Sequence, residues 1–182
     1  MPRQIALLRG INLGSANRIS MPELREALTD AGFTGVQTYL QSGNIALSSG
    51  ADPAALGAQI EQLLTERFGL QVSVVTRALA ELETVVMRNP FPEAALQDPK
   101  RYQVTFLSEE PAAAVLQQVA ALATVGERFA AHGRELYATH AAGIQNSKLA
   151  NSLTPKRLGI RCATARNWTT VNALLEMASS GE

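Results

Sequence analysis

The chain has 182 residues, with 16 Lys plus Arg against 16 Asp plus Glu, so its formal net charge is zero. Apolar residues make up 46% and charged residues 18%, which suits a buried core and excludes a disordered, highly charged tail. The balance argues against a uniformly basic nucleic-acid binder without excluding a local patch, and the length fits one domain or two small ones.

The opening MPRQIALLRGIN has too short an apolar stretch for a signal peptide, and no small-residue cleavage site follows it. No apolar run approaches the roughly 18 residues of a membrane span. Cys162 is the single cysteine, so an internal disulfide and a thiolate zinc cluster are both excluded. The expectation is a soluble cytoplasmic protein with no membrane association.

Residues 4–11 read as a buried strand, followed by a polar loop from Asn12 to Arg18. Ser20-Met21-Pro22-Glu23 has the chemistry of a helix start: a serine cap, an early proline and an early acid. Gly32 closes that helix. Residues 36–40 and 45–48 read as strands joined by the turn Gln41-Ser42-Gly43-Asn44. Asp52-Pro53 opens a second helix, with Leu56, Ile60, Leu63 and Leu64 on one stripe and Gly69 at its end. Residues 70–76 alternate as a strand. A helix over about 79–88 follows, stopped by Asn89-Pro90, and the stretch through Lys100 reads as loop.

The order then begins again. Residues 102–107 form a strand and 111–123 a helix. A hairpin of 127–132 with 135–140 turns at Gly133-Arg134. Short helical pieces near 147–153 and 155–158 precede a strand at 160–163, and a final helix covers 168–178. The predicted fold class is α+β: two ferredoxin-like β-α-β-β-α-β subdomains over 1–77 and 101–182. A linking helix and loop cover 78–100, and a C-terminal helix closes the chain. The rival arrangement places the same strands in one larger sheet.

Several blocks carry a resemblance: LLRGINLG at 7–14, MPELR at 21–25, GF at 32–33 and TYLQSGN at 38–44. NPF at 89–91, SK at 147–148 and TARNWTTV at 164–171 extend it. Together they resemble a bacterial family known only as domain of unknown function sixteen-ninety-seven. Leu13 departs from the valine expected there. The resemblance implies an α+β protein of two related subdomains and implies no activity.

The split topology brings the exit of the first strand beside the 41–44 turn. Arg9, Asn12, Ser42 and Asn44 are therefore a first candidate ligand site, whose arginines, amides and exposed backbone N–H groups suit an anion. The competing reading is a tight turn with Asn12 as a brace. The loop has neither the dinucleotide fingerprint nor the phosphate-loop lysine, so no motif names a cofactor.

Lys148, Arg166, Asn167 and Trp168 are a second candidate set. Residues 145–170 hold five cations and no acid, a local charge of +5, whereas 51–98 hold seven acids against three arginines, a charge of −4. A basic, aromatic-bearing surface suits a phosphate, a nucleotide or single-stranded nucleic acid. Its competing reading makes Trp168 core and leaves the cations solvated. The hairpin alternation predicts a polar open face of Arg128, His132, Tyr137 and Thr139, but lacks the aromatic pattern of an RNA-binding sheet.

His132 and His140 are predicted on opposite faces, so a histidine metal pair is not expected, and no metal site is assigned. The first functional reading is a binding module for a small anionic, phosphate- or nucleotide-like ligand. The alternatives are an enzyme acting on such a ligand, a scaffold or regulatory protein whose motifs are braces, and a weak nucleic-acid binder. No pattern sets an oligomeric state.

Overall fold

The structure, a computed structural model, describes residues 1–15 and 17–180. Ala16, inside the expected 12–18 loop, and residues 181 and 182, at the end of the expected second subdomain, lie outside the described residues.

The protein is α+β. Its first run of elements is β1 (Arg3–Leu8), α1 (Met21–Asp30), β2 (Thr34–Tyr39), β3 (Asn44–Ser48), α2 (Pro53–Phe68) and β4 (Val74–Ala78). Two helices follow, α3 (Leu79–Met87) and α4 (Pro92–Gln97). The second run is β5 (Tyr102–Leu107), α5 (Ala113–Ala120), β6 (Arg128–His132), β7 (Glu135–Thr139), α6 (Lys148–Ser152), α7 (Pro155–Leu158) and β8 (Ala163–Asn167). Helix α8 (Trp168–Ser179) ends it. The strands form two separate four-stranded antiparallel sheets, ordered β2-β3-β1-β4 and β6-β7-β5-β8. The single-sheet alternative is thereby excluded. The compact units are Met1–Thr84 with Asn172–Glu182, and Val85–Val171, so the divisions fall inside α3 and α8.

The first unit follows from its sequence signals. Ser20 caps α1 by accepting the Glu23 N–H at 3.3 Å, while its hydroxyl donates to Glu23 Oε2 at 2.6 Å, a reciprocal capping pair. Asp52 caps α2 through the Ala55 N–H at 3.0 Å, and Gly69 ends it at φ 65°. The apolar stripes of both helices, including Leu24, Leu28, Leu56, Ile60 and Leu64, pack on Ala6, Leu8, Ile45 and Leu47 of the sheet. The opposite face is also closed to solvent, with Ile5 and Leu7 fully buried. Every residue of β1 is buried, so its sequence reads as a continuous run rather than an alternation.

In the second unit, Leu107, Leu136, Ala138 and Ala163 pack against Val119, Leu149 and Leu158 of the helices. His132 pairs with Glu135 across the hairpin, as the two-residue turn predicts. The two sheets repeat down to one side chain. Arg77 stands opposite Ile5, and Arg166 stands opposite Val104, the third residue of each central strand. Both arginines are buried, and each donates from Nη1 to the preceding carbonyl, at 2.7 Å to Thr76 and 2.8 Å to Ala165.

Three expectations are corrected. The 89–100 stretch contains α4, which starts at Pro92 with Glu93 in its first turn, a favourable opening for a short helix. The last strand is Ala163–Asn167 rather than 160–163, because Ile160 packs against the helix-side core instead of pairing. Arg166 and Asn167 thus belong to a strand and not to a loop. The open face predicted for β6 and β7 is half closed: Tyr137 is 1% exposed, its hydroxyl donates to the Val85 carbonyl at 2.9 Å, and Thr139 is buried.

Candidate functional site

The first candidate set lies at one end of the first unit, where the exit of β1 meets the β2–β3 turn. The Leu8 N–H donates to the Gly43 carbonyl at 2.9 Å, and the Arg9 N–H to the Ser73 carbonyl at 2.9 Å. Asn12 ties the two loops together. Its Nδ2 donates to the Ile19 carbonyl at 2.9 Å and the Gln41 carbonyl at 2.8 Å, while Oδ1 accepts the Ile19 N–H at 2.9 Å. Asn44 is fully buried and donates from Nδ2 to the Tyr39 carbonyl and to Ser42 Oγ, both at 2.9 Å. Asn12 and Asn44 therefore shape the loops. Asn12, Asn17 and Leu40 adopt positive φ of 53°, 48° and 56°; asparagine tolerates this region and leucine rarely does.

The braced loops border an open cavity of about 440 Å³ lined by Asn12, Arg18, Ile19, Ser20, Glu23 and Gln41. Arg18 uses Nε to hold the Gly14 carbonyl at 3.1 Å, and its Nη atoms have no partner among the described residues. Arg9 and Ser42 are exposed at the same end but outside this lining, and Asn44 is buried and outside it too. Of the four expected residues, the cavity thus takes Asn12, and it adds Arg18, Glu23 and Gln41. Arg18 and Gln41 stand in the loop and turn that the sequence singled out; Glu23 reads there only as a cap.

The second candidate set does not share one surface. Asn167 caps α8: its Oδ1 accepts the Thr170 N–H at 2.9 Å. Trp168 is 6% exposed and stacks on Tyr102 at 5.0 Å between ring centroids and 16° between planes. Its backbone N–H donates to the Pro99 carbonyl at 3.0 Å. Arg166 donates from Nη1 to Thr164 Oγ1 at 2.7 Å. Burial lowers the Arg166 guanidinium to about 10, with Cys162 acting in the opposite direction, so it still carries charge near neutrality. Lys148 is exposed on α6, whose Leu149 packs on the helix side of the sheet, whereas Arg166 projects from the other face.

A buried polar cluster in the second unit was only partly legible in the sequence: the hairpin register sets Glu127 opposite His140, and nothing there brings Ser147 to them. His140 Nδ1 lies 3.2 Å from Glu127 Oε1 and 3.1 Å from Ser147 Oγ, and Ser147 Oγ donates to the same carboxylate oxygen at 2.5 Å. An ionised carboxylate only accepts, so Nδ1 carries the proton in this contact. Burial alone would raise the Glu127 carboxyl. Hydrogen bonds from Ser147, the Thr124 N–H, His140 and the Thr124 hydroxyl bring it instead down to about 2. Ser147 also caps α6 through the Ala150 N–H at 2.9 Å. Serine and carboxylate both address Nδ1, and Nε2 is buried without a partner, so the imidazole is not placed to take a proton from Ser147 through Nε2. The cluster ties the hairpin to α6.

Two other cavities hold arginines already engaged with acids. A cavity of about 520 Å³ between α1 and α2 contains Arg67, paired with Asp30 at 3.3 Å. One of about 340 Å³ in the second unit contains Arg101, 3.7 Å from Asp98, and Arg128, 3.3 Å from Glu93. Among the described residues, no three His, Cys, Asp or Glu side chains converge as a metal site. No helix there is long and apolar enough to cross a membrane.

These features define an α+β protein made of two units of one topology, the first carrying a braced, ligand-sized cavity. The chain belongs to the family described as "Protein of unknown function (DUF1697)", which matches residues 1–137. The SK and TARNW blocks lie beyond that span. The fold is similar to that of a conserved bacterial protein from Streptococcus pneumoniae, at 24% identity and a TM-score of 0.77, over 97% of this chain and 98% of that one. No curated protein matches the chain.

Proposed function

We propose that the protein is a cytoplasmic binding module for a small phosphate-bearing ligand, held in the cavity between the Asn12–Ser20 loop and the β2–β3 turn. The observation that carries this reading is Arg18. Its guanidinium lines the cavity with both Nη atoms uncommitted among the described residues, while Arg67, Arg101 and Arg128 in the other cavities each face a carboxylate. A forked guanidinium on a rigid wall is suited to a phosphate oxygen pair. Asn12 and Asn44 support it by fixing the loops. Arg9, exposed at the same end, adds attraction at longer range.

For Lys148, Arg166, Asn167 and Trp168 the contacts favour the bracing alternative. Cap, stack and buried hydrogen bonds already occupy three of the four. Thermal-shift measurements with phosphate and mononucleotides test the proposal. Stabilisation that disappears in Arg18→Ala and persists in Lys148→Ala supports it. No stabilisation by any phosphate compound refutes it.

A further inference from the structure

The cavity's lining suggests more than an anion hole. Its charges are Arg18 and Glu23, which cancel, so a bare phosphate bound to Arg18 also meets a carboxylate. Glu23 Oε2 accepts from Ser20 Oγ at 2.6 Å, which spends the Ser20 hydroxyl, and Oε1 has no partner among the described residues. Asn12 is fully used, with both amide donors and its oxygen engaged. The Gln41 side chain is exposed and offers both a donor and an acceptor. The groups left to meet a ligand are thus two guanidinium nitrogens, one carboxylate oxygen and one primary amide.

Size agrees. About 440 Å³ falls within the range of roughly 300–1,000 Å³ typical of sites for drug-sized ligands. A ligand matching this set carries an anionic group and an edge with an N–H donor.

Building on the phosphate reading above, we propose that the cavity takes a nucleoside monophosphate rather than a bare phosphate or sugar phosphate. Arg18 holds the phosphate, Glu23 Oε1 accepts a base N–H, and the Gln41 amide completes the edge.

Calorimetric titration of the full chain with inorganic phosphate, ribose 5-phosphate, AMP and GMP separates the possibilities. At least one nucleotide is expected to bind about tenfold or more tightly than ribose 5-phosphate, the scale of one hydrogen bond to a charged group. Glu23→Gln keeps the capping pair with Ser20. It is expected to weaken the nucleotide and leave or strengthen phosphate, opposite responses that a simple loss of folding does not produce. If all four bind alike and all are lost in Arg18→Ala, the phosphate reading stands and the nucleotide assignment is overturned. If none binds, or binding ignores Arg18→Ala, both are overturned.

Discussion

Replacing Gly43 by alanine is expected to destabilise the protein far more than the same change at Gly10. Both glycines have positive φ, 73° and 70°, where an L-residue costs about 1–2 kcal/mol. Their surroundings differ. A Cβ at Gly43 would meet Leu8 Cβ at 2.5 Å and Ile11 Cδ1 at 2.9 Å, whereas one at Gly10 meets nothing within 4 Å. Leu8 Cβ is fixed by the β1 backbone, and the Leu8 N–H is bonded to Gly43 itself, so relief requires opening the end of the β1–β3 ladder. Overpacking of this kind adds about 1–3 kcal/mol. Gly43→Ala should therefore cost about 2–5 kcal/mol and Gly10→Ala about 1–2 kcal/mol. Urea unfolding followed by circular dichroism reads both, with a lowered midpoint at unchanged slope expected. Equal losses at the two positions would refute the close seating of the turn on β1, and with it the wall of the cavity.

Acid should act through Glu127. Its folded pKa, about 2, lies below the ordinary 4.5, so the stability it contributes is present above pH 4.5 and is lost as pH falls towards 2. Glu127→Gln should show a shallower decline across that window in urea midpoints; parallel declines would contradict the cluster. Asn167→Ala should cost about 1 kcal/mol through the lost cap, with ligand-induced thermal shifts unchanged. Cys162 is fully buried, so a thiol reagent should label it only as fast as the second unit opens. Immediate labelling of the native protein would argue against that burial.

Much of the fold was legible because local signals agree with it. Ser20, Asp52-Pro53 and Gly69 mark helix ends in sequence and do so in the structure. Gly133-Arg134 sets the hairpin register. Tertiary burial hid the rest. Arg166 belongs to a type usually found at the surface and Tyr137 to one of intermediate burial, yet a buried sheet face holds both. Helix α4 begins at a proline that follows another proline by two residues, which reads equally well as loop. Glu127, His140 and Ser147 lie 7 to 20 residues apart; the hairpin register sets Glu127 opposite His140, and only packing brings Ser147, the cap of α6, to them. At the cavity the loops were legible and the roles were not. Asn12 and Asn44 carry the motif yet serve as braces, while Glu23 looks in sequence like nothing beyond a cap.

The most direct measurement is a backbone amide chemical-shift titration of the full chain with AMP and GMP. Shifts concentrated at Gly14, Arg18, Glu23, Gln41 and Ser42, and abolished in Arg18→Ala, are the predicted result. No shifts with either nucleotide, or shifts confined to the 93–101 and 126–141 segments of the second unit, would contradict a ligand site at the loops of the first.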